Sequence, residues 1–266
     1  MAVITFLSVA GAPGTTTSAV ATAMQWPRPA LFIEADIAKT SSILPGFFRA
    51  QYPHTRGLST LSLEHLRGEL NPRGILESAY RLGERYFVAG FDSAAAGAGT
   101  TSLWGALAGT LAAFEGANTD VLIDLGRYGV NDVRAPLLQA ADSVQVTLRP
   151  TLPEIYAARD RVADLRTRLQ PVGHVDHLEL WLVDDVGEQY GQAEVASLLD
   201  LPISARIDHD PSAAAVFSRG SNPPGKFDRS RFQRGIKAGI DTISQNIQQR
   251  QDRLGVRPSE TEEATA

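Results

Sequence analysis

Short apolar runs alternate with amphipathic stretches along the chain. The runs VITFLSV (3–9), ALFIEAD (30–36), YFVAGF (86–91), DVLIDLG (120–126), SVQVTLR (143–149), HLELWLVDD (177–185) and PISARI (202–207) predict strands. Helical periodicity predicts helices over 15–26, 58–70, 75–83, 100–114, 132–141, 153–170, 193–200 and 228–254, with AAAGAGTT (94–101) a small-residue loop. Apolar runs without polar alternation suit strands buried on both faces. Regular exchange of strand and helix predicts an α/β fold, a doubly wound and mostly parallel sheet with helices on both faces. In such sheets ligands bind at the C-terminal ends of the strands. We expect one domain over 1–254, with the polar, acidic stretch 255–266 a disordered tail.

The last helix carries Phe232, Ile236, Ile240, Ile243, Ile247 and Leu254 at helical spacing. The stripe has two readings. It can meet a membrane or partner, or pack on the domain's own sheet, which is the ordinary fate of an amphipathic helix.

The chemistry concentrates after the first strand, in VAGAPGTTTSA (9–19). A strand, a Gly-rich turn and a helix form a phosphate-binding loop, in which backbone amides and the helix N-terminus face the anion. A Walker A loop adds a lysine for the β and γ oxygens and a hydroxyl for Mg²⁺. Here Gly11, Ala12, Pro13, Gly14, Thr15, Thr16 and Thr17 occupy the loop, with Thr15 at the lysine position and Thr16 at the Mg²⁺ hydroxyl.

With these residues the chain resembles the MinD/ParA family of P-loop proteins. That family's deviant Walker A carries two lysines, which fall here on Ala10 and Thr15. Two more elements match it. The second strand runs into Glu34-Ala35-Asp36, placing Asp36 at the switch I aspartate that helps position water. The strand VLIDLGR places Asp124 at the Mg²⁺ second shell and Gly126 at the switch II glycine. Asp36 and Asp124 are thus the implied catalytic pair, and Thr16 and Asp124 the implied metal site. The resemblance covers residues 3 to about 220. It implies ATP and Mg²⁺ as cofactors, a nucleotide-bridged homodimer and work in spatial positioning through protein partners. In overall character it is similar to the TadZ/CpaE branch, whose members localise pilus secretion machinery and often carry degraded ATP sites.

The missing cations change that picture. Residues 1–27 contain no charged side chain. A lysine about 4 Å from a phosphate oxygen contributes on the order of 4 kcal/mol before desolvation is counted. Its loss weakens hydrolysis more than binding, because the transition state spreads charge over the equatorial oxygens. Lys39 and Arg127 are the candidate substitutes, each with a plain alternative as a solvated or locally paired side chain. Taken singly, Thr16, Asp36 and Asp124 also have structural readings, as a helix-start residue and two strand-end polar groups.

Net charge is −5, so bulk charge attracts no nucleic acid, although arginines recur near 149–168 and 219–234. Cysteine is absent, which excludes disulfides and thiolate chemistry. His174 and His177 form a candidate metal pair lacking a nearby third ligand, and read more simply as loop residues. Asp184 and Asp185 can meet a nucleobase or be solvated. Asp208, His209 and Asp210 can sit near the base or cap a helix. With no run of eighteen apolar residues and no charged leader region, we expect a cytoplasmic protein, peripheral to membrane if the last helix makes that contact. Three readings follow: a scaffold or localisation factor with a degenerate site, which the residues favour; an active ATPase with a relocated cation; and, least supported, a small-molecule enzyme.

Overall fold

The structure, a computed structural model, describes residues 1–11, 14–187 and 189–255. Ala12, Pro13 and, of the tail expected over 255–266, residues 256–266 lie outside the described residues. The elements run β1 (Val3–Ser8), α1 (Thr15–Gln25), β2 (Ala30–Glu34), α2 (Leu58–Leu66), α3 (Pro72–Glu77), β3 (Tyr80–Leu82), β4 (Arg85–Val88), α4 (Ala94–Ala98), α5 (Leu103–Leu111), β5 (Asp120–Arg127), α6 (Ala135–Gln139), β6 (Ser143–Leu148), α7 (Leu152–Leu169), β7 (Leu178–Val183), α8 (Gln192–Leu199), β8 (Ile203–Ile207), α9 (Pro211–Arg219) and α10 (Arg231–Arg253).

The strands form one eight-stranded sheet in the order β3-β4-β2-β5-β1-β6-β7-β8. Every pairing is parallel except β3 with β4. The glycine-rich turn therefore leaves the middle of the sheet, between β5 and β6. All six residues of β1 are buried, which is why its sequence shows no polar alternation. One face is covered by α2, α5, α6, α7 and α8, through Leu61, Trp104, Leu138, Leu165 and Val195 among others. The other is covered by α1, α9 and α10. Asp120 fixes the base of the central strands, accepting from the Ala2 amide and the Trp26 indole, both at 2.7 Å.

The stripe on α10 lies in this second layer. Phe232, Ile236, Ile240, Ile243 and Ile247 are all buried in the domain's own core. Gly239 lets the helix approach closely, since a Cβ there would lie 2.7 Å from the Trp181 ring. The stripe thus packs on the domain's own sheet, the ordinary fate of an amphipathic helix; of the residues named for it, Leu254 alone is exposed. Among the described residues, no helix is long and apolar enough to cross a membrane.

Several expected elements are corrected. The stretch 75–83 is not one helix: α3 ends at Glu77, and Tyr80–Leu82 is an antiparallel edge strand. The turn to β4 passes through Gly83 at φ +61°, a left-handed conformation that suits glycine. The stretch 94–98 is a short helix rather than loop, capped by Ser93, whose hydroxyl accepts from the Ala96 amide. The helix expected from residue 100 starts at Leu103, and that over 132–141 spans only Ala135–Gln139. The second and fourth strands stop at Glu34 and Val88, so Asp36 stands beyond its strand rather than in it.

Candidate functional site

Gly14 stands at the start of α1 with φ +68°, a conformation a side chain would strain. No side chain caps α1, and its first turn holds no acidic residue. The opening amides of the helix are left to the loop, an arrangement suited to an anion. Thr15 is 2 % exposed, and its hydroxyl oxygen has no hydrogen-bond partner among the described residues. Thr16 and Thr17 follow, half-buried, in the first turn of α1.

Beneath Thr16 lies Asp124, fully buried on β5. The register places it between Phe6 of β1 and Glu34 of β2. Its Oδ1 accepts from the Gly126 amide at 2.8 Å, while Oδ2 is buried with no hydrogen-bond partner among the described residues. Burial pushes its carboxyl up to about 6; the Thr16 hydroxyl and the Gly126 amide pull the other way, and the Glu34 and Asp36 charges add to the rise. An orphaned oxygen on a carboxylate beside a threonine hydroxyl is a donor set that fits a hard cation such as Mg²⁺. Thr16 and Asp124 are the residues that would hold it.

Asp36 comes to the same place. A Cβ on Gly126, which has φ +55°, would fall 2.3 Å from Asp36 Oδ2, so only glycine admits the carboxylate here. Asp36 Oδ1 accepts from the Ala38 amide at 2.9 Å. Lys39 Nζ lies 3.4 Å from Asp36 Oδ2, so this candidate cation is engaged by its own neighbour. Arg127 leans over the loop instead, its NH2 donating to the Gly11 carbonyl at 3.2 Å. The predicted residues Gly11, Gly14, Thr15, Thr16, Asp36, Lys39, Asp124 and Arg127 therefore gather around the ends of β1, β2 and β5.

Further neighbours of these residues are not singled out by the apolar pattern. Glu34, 1 % exposed, accepts from the Ser41 hydroxyl, the Ser42 amide and hydroxyl, the Ile43 amide and the Gly90 amide. It thereby fastens the segment after β2 to the end of β4. Arg134, 1 % exposed, donates to the carbonyls of Ala35, Leu125 and Arg127 and so ties the ends of β2 and β5 together. Its partner Asp132 is held below the ordinary carboxylate range: burial pushes it up, but the hydrogen bond and charge of Arg134 win. Glu154 and Arg149 form the fourth wall. Glu154 Oε1 lies 3.0 Å from where a Gly11 Cβ would be, and it accepts from Arg149 Nε at 2.5 Å. Only the P-x-x-P-E spacing after the fifth predicted strand, β6, hints at them.

The remaining candidates have partners within the fold. Asp184 pairs with Arg206 at 2.8 Å and Asp185 with Arg149 at 2.6 Å. Asp210 caps α9, accepting from the Ala213 amide at 3.0 Å. With Asp208 and His209 these residues line a cavity of about 380 Å³ beside the loop region. His174 and His177 stack at 4.1 Å near the opposite end of the sheet, their Nδ1 atoms 2.9 and 2.8 Å from the Gln139 and Ala141 carbonyls. Among the described residues no group of three or more potential metal ligands surrounds them.

No family model matches the chain, and no curated protein matches it in sequence. Solved structures do match its fold. The ParA family ATPase of Chlorobium tepidum superposes with a TM-score of 0.67 at 14 % identity, covering 91 % of this chain and 97 % of its own. A MinC:MinD cell division complex of Aquifex aeolicus gives 0.67 at 14 %, covering 100 % of both chains. The septum site-determining protein MinD of Pyrococcus horikoshii, complexed with Mg-ADP, gives 0.64 at 14 %, covering 91 % and 95 %. At such identities the likeness is one of architecture: this chain has the α/β fold of the MinD and ParA ATPases.

Proposed function

We propose that this protein is a spatial-positioning or scaffold factor of the MinD/ParA type. It serves a partitioning, septum-site or pilus and secretion machinery, with ATP hydrolysis weak or lost. One observation carries the reading: the lysine position is Thr15, a buried hydroxyl without a partner among the described residues. The charges of Glu34 and Asp36 bear on Asp124, beside Thr16, and Lys39 is engaged by Asp36. A triphosphate here meets helix amides but not the charge that holds its transition state. Bound Mg²⁺ would supply Lewis-acid neutralisation; the chain's own contribution is the Thr16–Asp124 pair that would hold it.

Work then passes to protein contacts. A homodimer and a separate protein partner fit this reading, and the MinC:MinD assembly among the structural neighbours motivates the second. A second reading, an active ATPase with a relocated cation, is favoured by one contact: Arg127 reaches the loop at Gly11.

Calorimetry with Mg²⁺ and ATP, followed by phosphate release on the same sample, separates the two. The scaffold reading expects weak binding and no turnover above buffer. It also expects Thr15→Lys to tighten ATP at least about tenfold, the scale of one hydrogen bond to a charged group. Wild-type turnover that disappears in Arg127→Ala overturns it in favour of the relocated cation.

A further inference from the structure

Two arginines bracket the loop at one residue. The sheet order β5-β1-β6 places Arg127, at the end of β5, and Arg149, just past β6, on either side of the turn leaving β1. Arg127 NH2 donates to the Gly11 carbonyl at 3.2 Å. Arg149 NH2 lies 3.5 Å from where a Gly11 Cβ would sit. The other nitrogens of Arg149 are spoken for: Nε donates to Glu154 Oε1 at 2.5 Å and NH1 to Asp185 Oδ2 at 2.6 Å. Its backbone amide also donates to Glu154 Oε2, at 2.8 Å. The fork is thus fixed in direction, with one edge turned to the loop.

We infer that Arg149 is the loop's anion-binding cation, held ready by Glu154 and released to an incoming phosphate by Asp185. This assignment rests on the loop retaining some affinity for phosphate, a point the proposed function allows but does not require.

The two carboxylates differ in the way the assignment needs. Glu154 is mostly buried and grips both the side chain and the backbone of Arg149. Its role is to hold the guanidinium against Gly11. Asp185 is 33 % exposed in its side chain and sits on the loop after β7. Its low carboxyl pKa comes first from the Val186 amide and then from Arg149, so it keeps a good partner when Arg149 turns away. A phosphate at the loop competes with Asp185 for one edge of the fork, and arginine suits such an exchange because its donors serve two anions in a fixed plane. Gly11 has no side chain to stand between them. Arg127 completes the bracket: among the described residues its only hydrogen bond on this side runs to the loop carbonyl. Lys39, by contrast, faces Asp36.

The test measures affinity for MgATP and for inorganic tripolyphosphate, which has no base, on the full chain. Arg149→Ala is expected to weaken both probes about tenfold or more, the scale of a charge-assisted hydrogen bond. Arg149→Lys should recover part of the loss. Asp185→Asn should tighten both probes, because the competing charge is gone while Val186 and the fold are untouched. Thermal melts confirm that each variant is folded, and Asp185→Asn keeps the assignment testable if Arg149→Ala is not. Unchanged affinity in Arg149→Ala, or no tightening in Asp185→Asn, overturns the assignment and leaves the scaffold reading standing. Wild-type protein that binds neither probe at millimolar concentration also overturns it, and that result strengthens the scaffold reading. Turnover supported by Arg149 instead overturns the scaffold reading while sustaining the assignment.

Discussion

Asp124 is the residue on which the candidate site can be read without any ligand. Its carboxyl is raised from 3.8 to about 6, first by burial. The folded state therefore holds a proton more tightly than the unfolded chain does. Stability falls as pH rises between those two values, and above pH 6 the buried charge costs the fold about 3 kcal/mol. Asp124→Asn keeps an oxygen for the Gly126 amide and removes the charge. Urea unfolding across pH 4 to 7 should show the variant gaining on the wild type as pH rises, and a gap that does not change with pH rejects this account. Mg²⁺ held by Thr16 and Asp124 should narrow the gap at neutral pH. The aspartate itself is legible in the sequence, since it ends an apolar run. Glu34, Arg134 and Arg149 are not, because what makes them important lies elsewhere in the chain. Glu34 reads as a strand-end charge until Gly90 and Ser42 are seen to close on it. Arg134 reads as a charge in the first turn of a helix until the carbonyl of Ala35 is found beside it.

Among the elements, those buried on both faces are the ones the apolar pattern finds. The runs of β1, β5, β6 and β7 appear within two residues of their observed limits, because a strand between two helical layers is largely apolar, and its buried polar residues pair with one another, as Gln145 does with Glu179. The pattern fails where burial is partial. β3 is three residues long, exposed at Arg81 and Leu82, and antiparallel at the sheet edge; its apolar spacing mimics a helix continuing from α3. The stripe on α10 shows a different limit, since periodicity gives the face but not what it meets. Here it meets the sheet, so its residues are core residues. Ile243→Ala is expected to lower stability by about 3 kcal/mol, as for other buried aliphatic truncations. Gly239→Ala is expected to cost about 1–3 kcal/mol because its methyl collides with Trp181. Chemical denaturation measures both. If instead these variants keep wild-type stability and lose retention on anionic vesicles, the helix is a membrane element after all.

At the scale of the whole molecule, the question is what association requires. A homodimer fits the proposed function, and the family resemblance implies pairing through the face bearing the loop, yet Ala10 stands where that resemblance places the lysine that crosses to the partner's nucleotide. That face offers something else. Val130, Leu152, Tyr156 and Val186 stand near the C-terminal ends of β5, β6 and β7 with 69, 57, 77 and 80 % of their surface exposed. Apolar side chains at the same end of the sheet as the loop can drive pairing without a nucleotide bridge, because their burial requires no charge at the interface. Sedimentation should then give the same dimer fraction with and without Mg²⁺ and ATP. Tyr156→Asp should shift the protein to monomer, since a carboxylate buried at the centre of such a face has no partner. Tyr156 touches the core little, so its loss leaves the fold intact and the two effects separate cleanly. A dimer that forms only with ATP, and that survives Tyr156→Asp, places the bridge back in the nucleotide and restores the switching ATPase as the better account.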